Sequence, residues 1–189
     1  MAIMRTNRVI LALPEHVSDL PQIERAAAEL FGDAVPAALL EHVTPESVFL
    51  AAQRDATLWV ALGPDDRPVG FIRVVVTGPR VHLAELDVLP AHGRRGVGTT
   101  LVRTVEDWAA SGHFAEITLT TYRDLPWNAP FYAGLGFDVV PESEWDAETR
   151  RRFEEEAGLE SERVRRVVMR KRPGTATPGA LNGGNRVRR

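Results

Sequence analysis

The stretch "AELDVLPAHGRRGVGTTLV", Ala84 to Val102, decides the fold. Its first part belongs to the run "HLAELDVL", where His82, Ala84, Leu86 and Val88 alternate with Leu83, Glu85 and Asp87, the two-residue period of a β-strand. Its last part changes period, because Val97, Leu101, Val105 and Trp108 recur at helical spacing until "SGH" stops the helix. Between the two, "PAHGRRGVG" compresses three glycines and two adjacent arginines into a turn. A second strand is expected over residues 116–121. Strand, tight turn, helix and strand make a crossover unit, which predicts that the two strands lie side by side and parallel.

The turn has its own chemistry. The first four backbone N–H groups of a helix lack partners and, with the helix dipole, attract an anion, above all a phosphate. Gly93, Gly96 and Gly98 keep side chains out of the approach, and Arg94 and Arg95 add charge at its rim. The candidate is a pyrophosphate cradle; the alternative is an ordinary connection with a solvated arginine pair. No Lys-Ser or Lys-Thr follows the last glycine, and the spacing is not that of the dinucleotide fingerprint, which argues against ATP and NAD.

Working outward, residues 8–13 read as a first strand, and "SDLPQIERAAAELF" as a helix with Asp19 and Gln22 spaced as a capping box. Leu20, Ile23, Ala27 and Leu30 return to one face of that helix. A helical stretch covers residues 35–42, and another begins near Pro45. Residues 57–62 and 69–77, joined through "GPDDRP", predict an antiparallel hairpin. Polar helix over 142–158 leads to a last strand over 163–170. The expected fold is α/β, a mixed, mostly antiparallel central sheet with helices on both faces. Residues 1–172 are expected to form a single domain, and 173–189, rich in Gly and Pro, a flexible tail.

Composition narrows the classes. The 189 residues are 44% hydrophobic, enough for a substantial core, and the net charge of −3 gives no general attraction to nucleic acid or anionic membrane. There is no cysteine, which removes disulfides, thiolate nucleophiles and thiolate metal sites. The five histidines are scattered without metal-ligand spacing, so no metal is expected. With no long apolar run, the expectation is a soluble cytoplasmic protein that binds neither membrane nor nucleic acid.

With "WNAPFYAGLGF", Trp127 to Phe137, following at the appropriate distance, the chain resembles the GCN5-related N-acetyltransferase (GNAT) family over about residues 5–171. The family pattern Arg/Gln-x-x-Gly-x-Gly/Ala is matched by Gly96 and Gly98, while Gly93 stands where Arg or Gln is usual. The resemblance implies a splayed pair of parallel strands that binds acetyl-CoA. It assigns cofactor contacts to Leu86, Asp87, Val88, Gly93, Arg94, Arg95, Gly96, Val97, Gly98, Thr99 and Asn128. It implies Glu85 as general base and Tyr132 as the acid that protonates the departing thiolate. Backbone N–H groups near 86–88 would supply the oxyanion donor.

Alternatives stand beside these roles. Glu85 is also readable as a carboxylate paired with Arg73 or Arg80, and local bulging would decide whether Glu85 or Asp87 faces the cleft. Tyr132 also suits core filling, and Asn128 also suits a helix cap. The implied reaction is acetyl transfer from acetyl-CoA to a primary amine, with a small-molecule acceptor and an optional homodimer. Tyr122 and Trp127 are candidates to flank an aromatic or aliphatic group of the acceptor, and Glu29, Asp33 and Glu41 to welcome a cation. A CoA-binding regulatory protein without turnover, or an acetyltransferase of protein N-termini or lysines, are the rival readings.

Overall fold

The computed structural model describes residues 8–35, 43–157 and 165–174. In chain order the elements are β1 (Arg8–Leu11), a 3-10 turn (Pro14–Asp19), α1 (Leu20–Ala28), a second 3-10 turn (Glu29–Ala34) and α2 (Glu46–Arg54). Then come β2 (Leu58–Leu62), β3 (Pro68–Thr77), β4 (Arg80–Val88), α3 (Val97–Ser111) and β5 (Glu116–Tyr122). The last are α4 (Ala129–Gly134), β6 (Asp138–Val139), α5 (Ala147–Ala157) and β7 (Arg166–Lys171). The strands form one sheet in the order β1-β2-β3-β4-β5-β7-β6. Every neighbouring pair is antiparallel except β4 and β5, which run parallel as the crossover unit requires.

Each face of the sheet buries its own core. On one face, Val97, Leu101, Val102, Val105 and Ala109 of α3 pack on Ile72, Val74, Val81, Leu83, Ile117 and Leu119. On the other, Leu20 and Ile23 of α1 and Phe49 and Ala52 of α2 pack on Leu58, Val60 and Phe71. These are the helical and two-residue periods that the sequence displays, realised as two layers of helix around one layer of sheet.

The β4 strand departs from simple alternation. Arg73 pairs with Glu85, but the next residue, Val74, pairs with Leu83, so Ala84 is an extra residue, a β-bulge. The bulge reverses the parity of everything after it. Val81 and Leu83 point to the α3 side before it, and Leu86 and Val88 pack on that same core after it. Glu85 and Asp87 therefore face the α1 side, whereas uniform alternation had grouped them with Leu83.

Between β4 and β5 the pairing covers only Arg80 to Leu83 against Glu116 to Leu119. Beyond that point β4 continues along β3 to Val88, and β5 continues along β7 to Tyr122. The parallel pair thus opens into a fork, the expected splay.

Other expectations need correction. Asp19 does not cap α1: its backbone is already helical, and its carboxylate instead accepts from Arg67 Nη2 at 2.5 Å. Leu30 is 50% exposed, because α1 ends at Ala28 and the tighter turn that follows rotates Leu30 off the buried face. The first strand ends at Leu11, before the Pro14 turn, rather than at position 13. The polar helix over 142–158 is divided into a turn at Glu142–Glu144 and α5, whose start is fixed by Asp146 Oδ1 accepting the Thr149 N–H at 2.9 Å. The last strand begins at Arg166 rather than 163. The helix expected over 35–42 falls, from residue 36 on, outside the described residues, as does the tail from residue 175.

Candidate active site

The fork is a backbone feature first. The Leu89 N–H donates to the Val69 carbonyl at 2.9 Å, and Leu89 is the residue after the last of β4. In an antiparallel ladder the hydrogen-bonded pairs alternate, so Asp87 and Glu85 also turn their main-chain groups toward β3. The N–H groups of Leu86 and Val88 point the other way, into the opening left by β5.

Glu85 lies on the α1 side of this opening, with its side chain 11% exposed. Its Oε2 accepts from Arg73 Nε at 3.1 Å and from the Thr44 hydroxyl at 3.4 Å, while Oε1 is buried without a partner. Of the two arginines that offered a pairing, Arg73 takes it, and Arg80 pairs with Glu116 and Asp146. Burial, reinforced by the nearby Glu24 carboxylate, outweighs Arg73 and raises the Glu85 pKa to about 7. Asp87 lies beside Glu85, and burial followed by the charge of Glu85 raises its pKa well above the usual carboxylate range. The pair therefore holds on to a proton in the acid range where isolated carboxylates have lost theirs.

Two contributors escaped the sequence reading. Glu24 accepts the Thr44 backbone N–H at 2.8 and 3.0 Å and its hydroxyl at 3.1 Å, and Thr44 in turn reaches Glu85. Glu24 follows Leu20 by one helical turn and sits beside Ile23, so a carboxylate on the core face of α1 was the available signal. Thr44, in an irregular segment, offers none.

Tyr132 approaches from the α3 side. It is 8% exposed, and its ring meets Phe131 and Phe137 edge-on at 5.0 and 5.8 Å. Burial, then the charge of Asp87, pushes its hydroxyl pKa upward and keeps it protonated. Asn128 stands at the start of α4 but makes no side-chain cap. Its Nδ2 donates to Thr121 Oγ1 at 2.8 Å, a bond that turns the side chain away from the helix end and leaves Oδ1 buried without a partner.

The glycine turn leads from the end of β4 into α3. Gly96 is the N-cap residue at φ 79°, where a side chain is strained. No side chain caps the helix, and its first backbone bond runs from the Thr100 N–H to the Gly96 carbonyl at 2.9 Å. The N–H groups of Val97, Gly98 and Thr99 precede that bond. A Cβ at Gly96 would meet nothing within 4 Å, so the space in front of these donors is open. Gly98 lies against Phe131, whose ring a Cβ would approach to 3.5 Å. Gly93 is extended and has no conformational need for glycine. Arg94 and Arg95 are exposed at the rim, and the Val97 side chain is in the core, so only its main chain faces the opening. Uncapped helix donors and the orphaned Asn128 Oδ1 fit a ligand with a pyrophosphate and an amide-bearing arm.

A separate polar cluster lies beneath α5. His82, 5% exposed, bonds through Nδ1 to Thr118 Oγ1 at 3.0 Å and through Nε2 to Glu156 Oε1 at 2.9 Å. This ties α5 to the unsplayed part of the parallel pair. Among the described residues, no group of three or more His, Cys, Asp or Glu side chains could hold a metal ion, and no helix is long and apolar enough to cross a membrane.

The chain is similar in fold to the PaiA N-acetyltransferase of Thermoplasma acidophilum, solved with coenzyme A, at 16% identity and a TM-score of 0.67, covering 88% of this chain and 99% of that one. It is similar to the ribosomal-protein-S18-alanine N-acetyltransferase of Escherichia coli at 14% identity and a TM-score of 0.64, covering 94% and 100%. It also matches, at 16% identity and a TM-score of 0.65, the N-acetylglutamate synthase of Neisseria gonorrhoeae, solved with coenzyme A and N-acetyl-glutamate, covering 92% of this chain but 36% of that longer one. Residues 21–137 match the sequence model of the Acetyltransferase (GNAT) family, and with the fork and uncapped helix in place the chain belongs to that family.

Proposed function

We propose that this protein transfers the acetyl group of acetyl-CoA to the primary amine of a small molecule by direct attack. The observation that carries the reading is the Glu85 carboxylate, buried at the fork with one oxygen unpaired and its pKa raised to about 7. A base of that strength accepts a proton near neutral pH, directly or through a water, as an amine becomes a nucleophile. When bound, acetyl-CoA supplies the activated acyl group, and coenzyme A is seen in the related PaiA and N-acetylglutamate synthase structures.

The chain's own groups divide the remaining work. The N–H groups of Val97, Gly98 and Thr99 face an anion at the start of α3, with Arg94 and Arg95 at the rim. Asn128 Oδ1, buried without a partner, would accept a hydrogen bond from an amide of the cofactor's arm. The N–H groups of Leu86 and Val88, already held by the strand, would donate to an acyl oxygen in the fork at no cost of reorganisation. The Tyr132 hydroxyl, kept protonated by burial and Asp87, holds the proton that a departing sulfur requires. Incubation of the purified protein with acetyl-CoA and a panel of primary amines tests the reading. Thiol release that depends on the amine, with an acetyl mass gained by it, is the expected result. Cofactor binding without any amine-dependent release overturns it in favour of a CoA-binding protein without turnover.

A further inference from the structure

We propose that the acceptor is a primary monoamine ending in a neutral aryl group, and that Phe31, Tyr122 and Trp127 seat its ring; this rests on the acetyl-transfer reading above. Tyr122 and Val35, with Phe31 and Leu125 against them, form an apolar cluster separate from both cores. Phe31 meets Tyr122 edge-on at 5.7 Å and Trp127 at 6.2 Å, and Trp127 is 44% exposed. Edge-to-face packing of this kind leaves ring surface available to a further aromatic partner.

The position of the cluster gives it meaning. Ile117 and Leu119 point into the α3-side core, so alternation turns Tyr122 to the opposite face, the face that carries Glu85 and Asp87. Leu83 and Leu119 are the last paired residues, and Asp87 and Tyr122 lie on the two arms of the fork, each about 10 Å beyond it. Phe31 comes from the turn directly after α1, the helix that brings Glu24 to the same side. Acids stand on one arm and rings on the other.

Partner accounting shows how many cations fit. Both oxygens of Glu24 accept from Thr44, Glu85 Oε2 accepts from Arg73 and Thr44, and burial with the charge of Glu85 pushes Asp87 toward its neutral form. Among the described residues, Glu85 Oε1 is the buried carboxylate oxygen left without a partner, which matches a single ammonium. At the ring end, the Arg166 guanidinium lies 5.0 Å from the Tyr122 ring centroid and pairs with Glu156 at 3.8 Å. A second ammonium reaching that end meets aromatic rings and an already paired guanidinium, neither of which replaces its hydration, whereas a neutral ring packs on them. A diamine is disfavoured on this ground, and an arylalkylamine is favoured.

The test uses the full chain with phenethylamine, n-butylamine and putrescine, measuring kcat/KM with acetyl-CoA and, separately, amine binding by calorimetry. Phenethylamine is expected to exceed each of the others by on the order of tenfold. Trp127→Ala and Phe31→Ala should each reduce the phenethylamine to n-butylamine ratio severalfold, chiefly through KM, with melting temperatures confirming that the variants are folded. Preference for putrescine, or an unchanged ratio in both variants, overturns the proposal. If acetyl-CoA binds but no amine is acetylated, it is the transfer reading that fails. The calorimetric order of the three amines then still decides the ring seat, supporting it only if phenethylamine binds first.

Discussion

Glu85 is pulled in two directions, toward ionisation by Arg73 and toward protonation by burial and Glu24, and burial prevails. Glu85→Gln keeps the size of the side chain but cannot accept a proton, so the acetylation rate should fall on the order of 10²–10⁴-fold, with acetyl-CoA affinity little changed. The parent's kcat/KM should climb as pH rises through about 7, and this limb should vanish in E85Q. If D87N loses the limb and E85Q retains it, Asp87 is the base. Stability has a sign of its own. The folded pKa lies above the ordinary 4.5, so the native state binds more protons than the unfolded state between those values, and stability drains away as pH rises through that window. The melting temperature of E85Q relative to the parent should therefore be higher at pH 8 than at pH 5. Tyr132→Phe keeps the packed ring and removes only the hydroxyl. Its rate should fall about thirtyfold, equivalent to about 2 kcal/mol, with acetyl-CoA binding intact. The loss should shrink for a thioester of a more acidic thiol, and an unchanged rate where chemistry limits turnover would return the tyrosine to packing alone.

At the scale of elements, the start of α3 is the most exacting. Gly96→Val forces a β-branched residue to φ 79° and extends side-chain atoms into the open space before the helix donors. Acetyl-CoA affinity should weaken at least about tenfold, roughly 1.4 kcal/mol, by calorimetry on folded protein. Equal affinities would move the cofactor elsewhere. This turn and its helix were legible because their signals are local: three glycines, then Val97, Leu101 and Val105 at one-turn intervals. The bulge at Ala84 was not, since nothing within β4 marks it and only the register against Arg73 and Val74 reveals it. Glu85 and Asp87 could be singled out as unexpected carboxylates in an apolar strand, but their shared face depends on that long-range pairing. Glu24 reaches the site from α1 and Thr44 from the irregular segment before α2, and Asp19 exchanged its expected cap for Arg67, a partner distant in sequence.

For the whole molecule, the shared sheet joins the two cores, one under α3 and one under α1 and α2. Leu101→Ala on one side and Phe49→Ala on the other, both at fully buried residues, should cost about 2–5 and about 3–5 kcal/mol respectively. Both variants should still unfold in a single transition, with far- and near-ultraviolet dichroism coinciding, because neither helical layer retains its buried face once the sheet is lost. Separate midpoints would mean that the layers are independent. The fork adds a non-uniformity to this cooperative body. Most central-sheet amides exchange with heavy water only when the molecule opens, but those of Leu86 and Val88, half-buried on a central strand, have no strand opposite on the β5 side. In the free protein they should take up deuterium as quickly as a loop does, flanked by slow neighbours at Glu85 and Asp87. Saturation with cofactor should silence those two positions selectively, writing the acyl site into the labelling pattern as a pair of alternate residues.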